Sequence, residues 1–114
     1  MTRAMTNPAS LQLSEQQKQQ VIEIVRKHLS NTPSPTNCQL FAFGSRTQGI
    51  ASSTSDLDLV VQCSEKLPLA TYYAIKDDFE YSQLPFRVDF LDWHRLSESF
   101  QQQIQDKRLP IWPA

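Results

Sequence analysis

The stretch FGSRTQGIASSTSDLDLVV, Phe43 to Val61, decides how the rest of the chain is read. It holds both of the chain's glycines, Gly44 and Gly49, followed by a run of serine and threonine. It closes on two aspartates, Asp56 and Asp58, set among leucines and valines. Side chains alternate across a strand. A strand from Asp56 to Cys63 therefore sends Leu57, Leu59 and Val61 to one face and both aspartates to the other. The two carboxylates would stand roughly 6–7 Å apart along such a strand.

Working outward, CQLFAF from Cys38 to Phe43 reads as a preceding strand. The segment between the two strands is too long for a hairpin turn; it has room for a tight turn, a short helix and a loop. Upstream, Val21, Ile22, Val25 and Leu29 recur at helical spacing from Ser14 onward. Ser14 and Gln17 have the spacing of a capping box. Glu15 at the start and Arg26, Lys27 and His28 at the end complement the helix dipole. The prolines of NTPSPTN stop that helix. Downstream, Pro68 suits the first turn of a second helix carrying Leu69, Tyr72, Ile75 and Phe79 on one side. FRVDFLD, Phe86 to Asp92, reads as a third strand. Trp93, Leu96, Phe100 and Ile104 trace a last helix, and RLPIWPA forms a short extended end. The expected fold is a small mixed α/β (α+β) domain over residues 14–114, with a sheet of three to four strands and flanking helices. Residues 1–13 read as a loose polar tail.

Length and charge bound the function. At 114 residues the chain holds one domain with a real core. Eleven Lys and Arg stand against 12 Asp and Glu, which gives no electrostatic reason for nonspecific nucleic-acid or membrane binding. No apolar run reaches the ~20 residues of a membrane span, and MTRAMTNPASLQL lacks the apolar centre of a signal peptide. Cys38 and Cys63 match neither a metal-ligand spacing nor a disulfide framework, so they read as free, buried thiols suited to a reducing cytoplasm. His28 fits a helix C-terminus and His94 an exposed first helical turn. Tyr72, Tyr73 and Tyr81 read as core or interface, and Asp77 to Glu80 as a solvated helix face.

Two partly buried carboxylates at close range are unfavourable unless a cation lies between them. Oxygen-only ligands select hard ions, and Mg²⁺ takes one or two carboxylates, completing its shell with water and phosphate. Asp89, flanked by Val88 and Phe90, is a third acid inside a strand. If its strand lies beside the second one, three carboxylates share a two-metal site. Taken singly, Asp56 also reads as an ordinary turn aspartate before a strand, and Asp92 as the N-cap of the last helix. Gly44 and Ser45 follow a strand and precede a short helix, where backbone N–H groups and a hydroxyl can meet a phosphate. Gly49 can supply the positive φ that ends that helix. Arg46 reads either as a phosphate ligand or as a solvated arginine. Phosphate donors on one side and metal-binding acids on the other suit a triphosphate and phosphoryl or nucleotidyl transfer.

Ten residues separate Ser45 from Asp56, so the chain reads Gly-Ser, ten residues, Asp-x-Asp. This resembles the signature of the DNA polymerase β-like nucleotidyltransferase superfamily. The small size, FGSRTQG and the late VDFLD resemble most closely the minimal nucleotidyltransferases, the MNT-type antitoxins paired with HEPN toxins, over roughly Val21 to Trp112. That resemblance implies Gly44 and Ser45, and Arg46 at a variable position, binding the triphosphate of ATP. It implies Asp56, Asp58 and Asp89 as catalytic metal ligands for Mg²⁺, with Asp89 activating the acceptor hydroxyl. It further implies a metal-dependent protein adenylyltransferase that moves AMP from ATP to a tyrosine of a partner HEPN ribonuclease toxin in a hetero-oligomer, while the missing signal peptide and membrane span point to a soluble, cytoplasmic chain. A chain this short leaves no residues for an acceptor-binding domain, which favours a protein acceptor over RNA. Two other readings stay open: an antitoxin that acts by covering its partner non-covalently, and a nucleotidyltransferase domain for an unrelated acceptor.

Overall fold

The computed structural model describes residues 12–47 and 55–113. Helix α1, Glu15–Ser30, starts where the capping box places it. The Ser14 hydroxyl accepts from the Gln17 N–H at 3.1 Å, and the Gln17 side chain accepts from the Ser14 N–H at 3.2 Å. Two first-turn donors are thereby satisfied, typically stabilising by about 1 kcal/mol. Strand β1, Gln39–Phe43, runs into a 3₁₀ turn, Ser45–Thr47. Strand β2, Leu57–Gln62, and helix α2, Leu69–Glu80, follow. Strand β3, Val88–Asp92, leads to a second 3₁₀ turn, Trp93–Arg95. Helix α3, Glu98–Gln105, and strand β4, Leu109–Trp112, complete the fold. Among the described residues no helix is long and apolar enough to cross a membrane.

The four strands form one mixed sheet in the order β3-β2-β1-β4. Strand β1 pairs antiparallel with both neighbours, while β2 and β3, joined through α2, are parallel. The extended C-terminal end is therefore a sheet strand, at the upper limit of the three to four expected. One face of the sheet is a full core. Leu40, Ala42, Leu57, Leu59, Val61 and Phe90 meet Val21 and Val25 of α1 and Ile75 and Phe79 of α2. Each of these except Ala42, once buried, contributes about 1.5–3 kcal/mol. On the opposite face Phe41, Phe43 and Val60 pack with Trp93 and Ile104.

Several sequence expectations need correction. The expected loose tail ends too late. Gln12 exchanges hydrogen bonds with Arg46, N–H to carbonyl at 2.8 Å and carbonyl to guanidinium at 2.7 Å. Leu13 packs against the main core. The rest of that tail lies outside the described residues. In α1 the side chains packed into the main core are Val21, Ile24, Val25 and Leu29, and Ile22 is not among them. Leu69, expected inward on α2, is 53% exposed. The last helix is broken in two. Asp92 caps the 3₁₀ turn through the His94 N–H at 3.2 Å, Leu96 turns extended, and Ser97 caps α3 through the Phe100 N–H at 3.1 Å. Competition from two local caps thus overrides the apolar spacing.

The cysteines are not free. Cys38 and Cys63 form a disulfide. The antiparallel register sets Gln39 opposite Gln62, which brings the flanking positions 38 and 63 face to face across β1 and β2. Two residues 25 apart in sequence become neighbours only through that register. The argument from free thiols to a reducing compartment falls with this pairing.

Candidate active site

Strand alternation puts Asp58 and Asp89 on the face opposite the main core, the face of Phe41, Phe43 and Val60. Asp58 lies directly across from Asp89 in the parallel ladder and from Phe43 in the antiparallel one. The sheet thus brings together two acids 31 positions apart. Asp56 stands one residue before β2, exposed to solvent. The third acid is therefore where a strand pairing was needed to place it.

Gly44, the residue after Phe43, completes the juxtaposition. Its φ is +85°, a conformation that side chains rarely adopt. A Cβ added there would also collide with the Asp58 carboxylate. The glycine is required twice over, by its own torsion and because the turn's backbone lies against that carboxylate. Thr47 closes the turn, its N–H and hydroxyl donating to the Gly44 carbonyl at 3.0 and 2.8 Å. Ser45, half-buried, opens it. Gly49, expected to end the short helix, and most of the serine-threonine run lie outside the described residues.

The charges interact as their placement requires. The Asp58 carboxyl is held above the ordinary carboxylate range, first by burial and then by the negative charges of Asp89 and Asp56. Arg87 pulls in the other direction and offsets this only in part. Sequence reasoning overlooked Arg87, although it sits two residues before Asp89 and so shares its side of the strand direction. Its carbonyl accepts from the Leu57 N–H at 2.9 Å, extending the β2–β3 pairing toward Asp56.

Arg46 differs from a ligand waiting at an open face. It is 4% exposed. Its Nε and Nη2 donate to the Ser55 carbonyl at 3.0 and 2.9 Å, and its Nη1 to the Gln12 carbonyl at 2.7 Å. The guanidinium also lies 4.2 Å over the Phe86 ring. Burial lowers its pKa, and Asp56 opposes that shift.

Asp92 is committed elsewhere, as expected of a cap. At 1% exposure it accepts from the Leu67 N–H at 2.8 Å and from His94, and its Oδ2 lies 3.4 Å from Arg95 Nε. His94 is exposed, with Nε2 at 2.7 Å from the Cys63 carbonyl. His28 closes on Asp78 of α2 at 2.6 Å. Neither histidine touches the acidic group.

Among the described residues, no set of three or more His, Cys, Asp or Glu side chains forms a ready metal cage. Two facing carboxylates plus a nearby third are still an all-oxygen donor set whose accumulated charge Arg87 does not cancel. Such a set fits a hard divalent cation that arrives with a triphosphate and takes part of its shell from it.

Comparison with known proteins shows the family. A curated relative, the probable protein adenylyltransferase MntA of Haemophilus influenzae, is 44% identical over 66 residues. That match covers 58% of each chain, so this chain spans under two thirds of the relative's length. A solved toxin–antitoxin with AMP-PNP superposes with a TM-score of 0.67 at 23% identity, covering 85% of this chain and 73% of that one. A tri-AMPylated Shewanella oneidensis HEPN toxin in complex with MNT antitoxin gives 0.60 at 21% identity, with 85% and 70% covered. At such identities these likenesses concern the fold. Residues 19–112 match the family described as Polymerase beta, Nucleotidyltransferase, and the chain belongs to that nucleotidyltransferase family.

Proposed function

We propose that this chain is an antitoxin-type protein adenylyltransferase that moves AMP from ATP to a tyrosine of a HEPN toxin partner and so silences it. The observation that carries the reading is the register pair Asp58–Asp89 with the Gly44 backbone set against Asp58. It supports the reading because two carboxylates then face each other beside a glycine turn whose backbone is open to a phosphate. Asp56, Asp58 and Asp89 would hold Mg²⁺, which supplies charge neutralisation at the reacting phosphate when bound. Gly44 and Ser45 contact the triphosphate, the first by leaving room for backbone approach. Asp89 takes the proton of the acceptor hydroxyl as its oxygen bonds to the α-phosphorus and pyrophosphate leaves. The names of the relative and of the structural neighbours, an adenylyltransferase and toxin–antitoxin complexes, support the donor and partner classes. An ATP-dependent reaction on a ribonuclease toxin belongs in the cytoplasm.

The test is an intact-mass measurement. The chain is co-purified with a HEPN toxin and incubated with ATP and Mg²⁺. The partner should gain mass in AMP steps, and Asp56→Asn with Asp58→Asn should abolish the gain. A tight complex whose partner stays unmodified would replace catalysis with neutralisation by contact. That outcome would also show in the double variant, which would then neutralise the toxin at the same stoichiometry as wild type.

A further inference from the structure

We infer that Arg46 is a positioning residue that sets the metal affinity of the site by fixing the backbone entering Asp56, and that it does not bind the nucleotide. The inference rests on the metal reading above and adds a role to one residue within it. Three segments converge on this side chain. The guanidinium grips the Ser55 carbonyl with two nitrogens, at 3.0 and 2.9 Å, immediately before Asp56. A third nitrogen holds the Gln12 carbonyl at 2.7 Å, and Gln12 returns a hydrogen bond to the Arg46 carbonyl at 2.8 Å. The flat of the guanidinium covers Phe86, three residues before Asp89, at 4.2 Å.

Arg46 itself belongs to the 3₁₀ turn that Gly44 and Ser45 open. One side chain therefore ties the phosphate turn, the approach to Asp56 and the approach to Asp89 into a single unit. Asp56 needs such help more than the other acids, because it lies one residue outside β2 and beyond the first register pair, Leu57 with Val88. A lysine could not replace this clamp. Its ammonium has no planar fork with which to hold one carbonyl through two nitrogens while reaching a second and covering a ring. With 4% of its surface exposed, Arg46 is also badly placed to receive a triphosphate.

The test separates metal affinity from nucleotide affinity. Mn²⁺ is titrated into the full chain with a non-hydrolysable ATP analogue and followed by electron paramagnetic resonance. Arg46→Met should raise the Mn²⁺ dissociation constant by about tenfold, the size expected when support behind a ligand is lost. At saturating Mn²⁺ its affinity for the analogue should stay within about threefold of wild type, and Arg46→Lys should fail to restore Mn²⁺ binding. Should Arg46→Met not fold, Phe86→Leu carries the same test. It removes the ring beneath the guanidinium and should weaken Mn²⁺ binding by about two- to fivefold. Loss of analogue affinity at saturating Mn²⁺, with AMP affinity unchanged, would make Arg46 a phosphate ligand and overturn the inference. Unchanged Mn²⁺ binding in a folded variant of lower thermal stability would overturn it too, leaving a purely structural arginine. Wild type that binds no Mn²⁺ with the analogue would instead bring down the metal reading, and the clamp with it.

Discussion

The two faces of the sheet are built from the same strands and do opposite work. On one, Leu57, Leu59 and Phe90 are covered by α1 and α2 and are at most 1% exposed. On the other, a smaller cluster around Phe41, Val60 and Trp93 leaves Asp58 and Asp89 only partly buried. Alternate residues of β2 thus build the core and the proposed site in turn. The difference teaches that the acids do not interrupt the strand: the buried leucines on either side of Asp58 hold it where its charge is costly.

That division predicts opposite signatures for substitutions one residue type apart. The largest effect is expected from Asp58→Asn. Nucleotide transfer should fall by about two to three powers of ten, the loss typical of one electrostatic group aimed at the reacting centre. Thermal stability at neutral pH should hold or rise. The Asp58 carboxyl is raised in the folded state, so its contribution is fully present below the ordinary value of about 3.9 and is lost as pH climbs through the folded value. Removing the charge removes that loss. A stability scan against pH should therefore be flatter for Asp58→Asn than for wild type from about pH 3.9 up through the raised folded value. A variant that is both inactive and less stable would mean that Asp58 is part of the scaffold.

Ile75→Ala tests the covered face. Ile75 is fully buried between α2 and the sheet. Its truncation should lower stability by about 2–5 kcal/mol in urea unfolding, through lost transfer energy and a cavity. Transfer per folded molecule should stay within about threefold, since the acids lie across the sheet. If activity falls in step with Asp58→Asn instead, the two faces are not separable.

Next in size comes the clasp at the end of the β1–β2 pair. Breaking Cys38–Cys63 by the double serine variant should cost about 3.5 kcal/mol, the chain-entropy value for a loop of this length. Wild type in reductant should lose as much. Coincident unfolding curves in reducing and oxidising buffer would show that strand pairing alone closes this end.

Legibility in the sequence followed locality. The capping box, Gly44 and Asp58 are each decided within a few residues, and the spacing of Ser45 from Asp56 needs no structure to count. Asp89 could be nominated as an acid in a strand, yet its place opposite Asp58 depends on a parallel pairing that only the fold determines. The disulfide, invisible at a separation of 25, follows from the register of β1 on β2. Arg46 was ambiguous for the same reason. Its partners, Gln12, Ser55 and Phe86, come from three separate segments. The split of the last helix was misread because apolar spacing runs unbroken through Trp93, Leu96, Phe100 and Ile104, while the caps that divide it are polar side chains.

The smallest effect belongs to the outer side of the helical layer. Asp78 on α2 receives His28 at 2.6 Å and Lys27 at 3.1 Å from α1. The His28 hydrogen bond, then that of Lys27, hold its carboxyl below the ordinary range. A lowered carboxylate adds stability that is present above about 3.9 and is lost as pH falls through the folded value. Asp78→Asn should therefore reduce stability at neutral pH and leave it close to wild type in acid. Because the Asp78 side chain is 37% exposed and Lys27 53%, water and salt screen the contact. The loss should not exceed about 1 kcal/mol and should shrink with added salt. Urea unfolding at two pH values and two ionic strengths measures both trends. An effect of several kcal/mol would mean that the α1–α2 seam depends on this bridge, whereas an effect that salt leaves unchanged would assign it to packing.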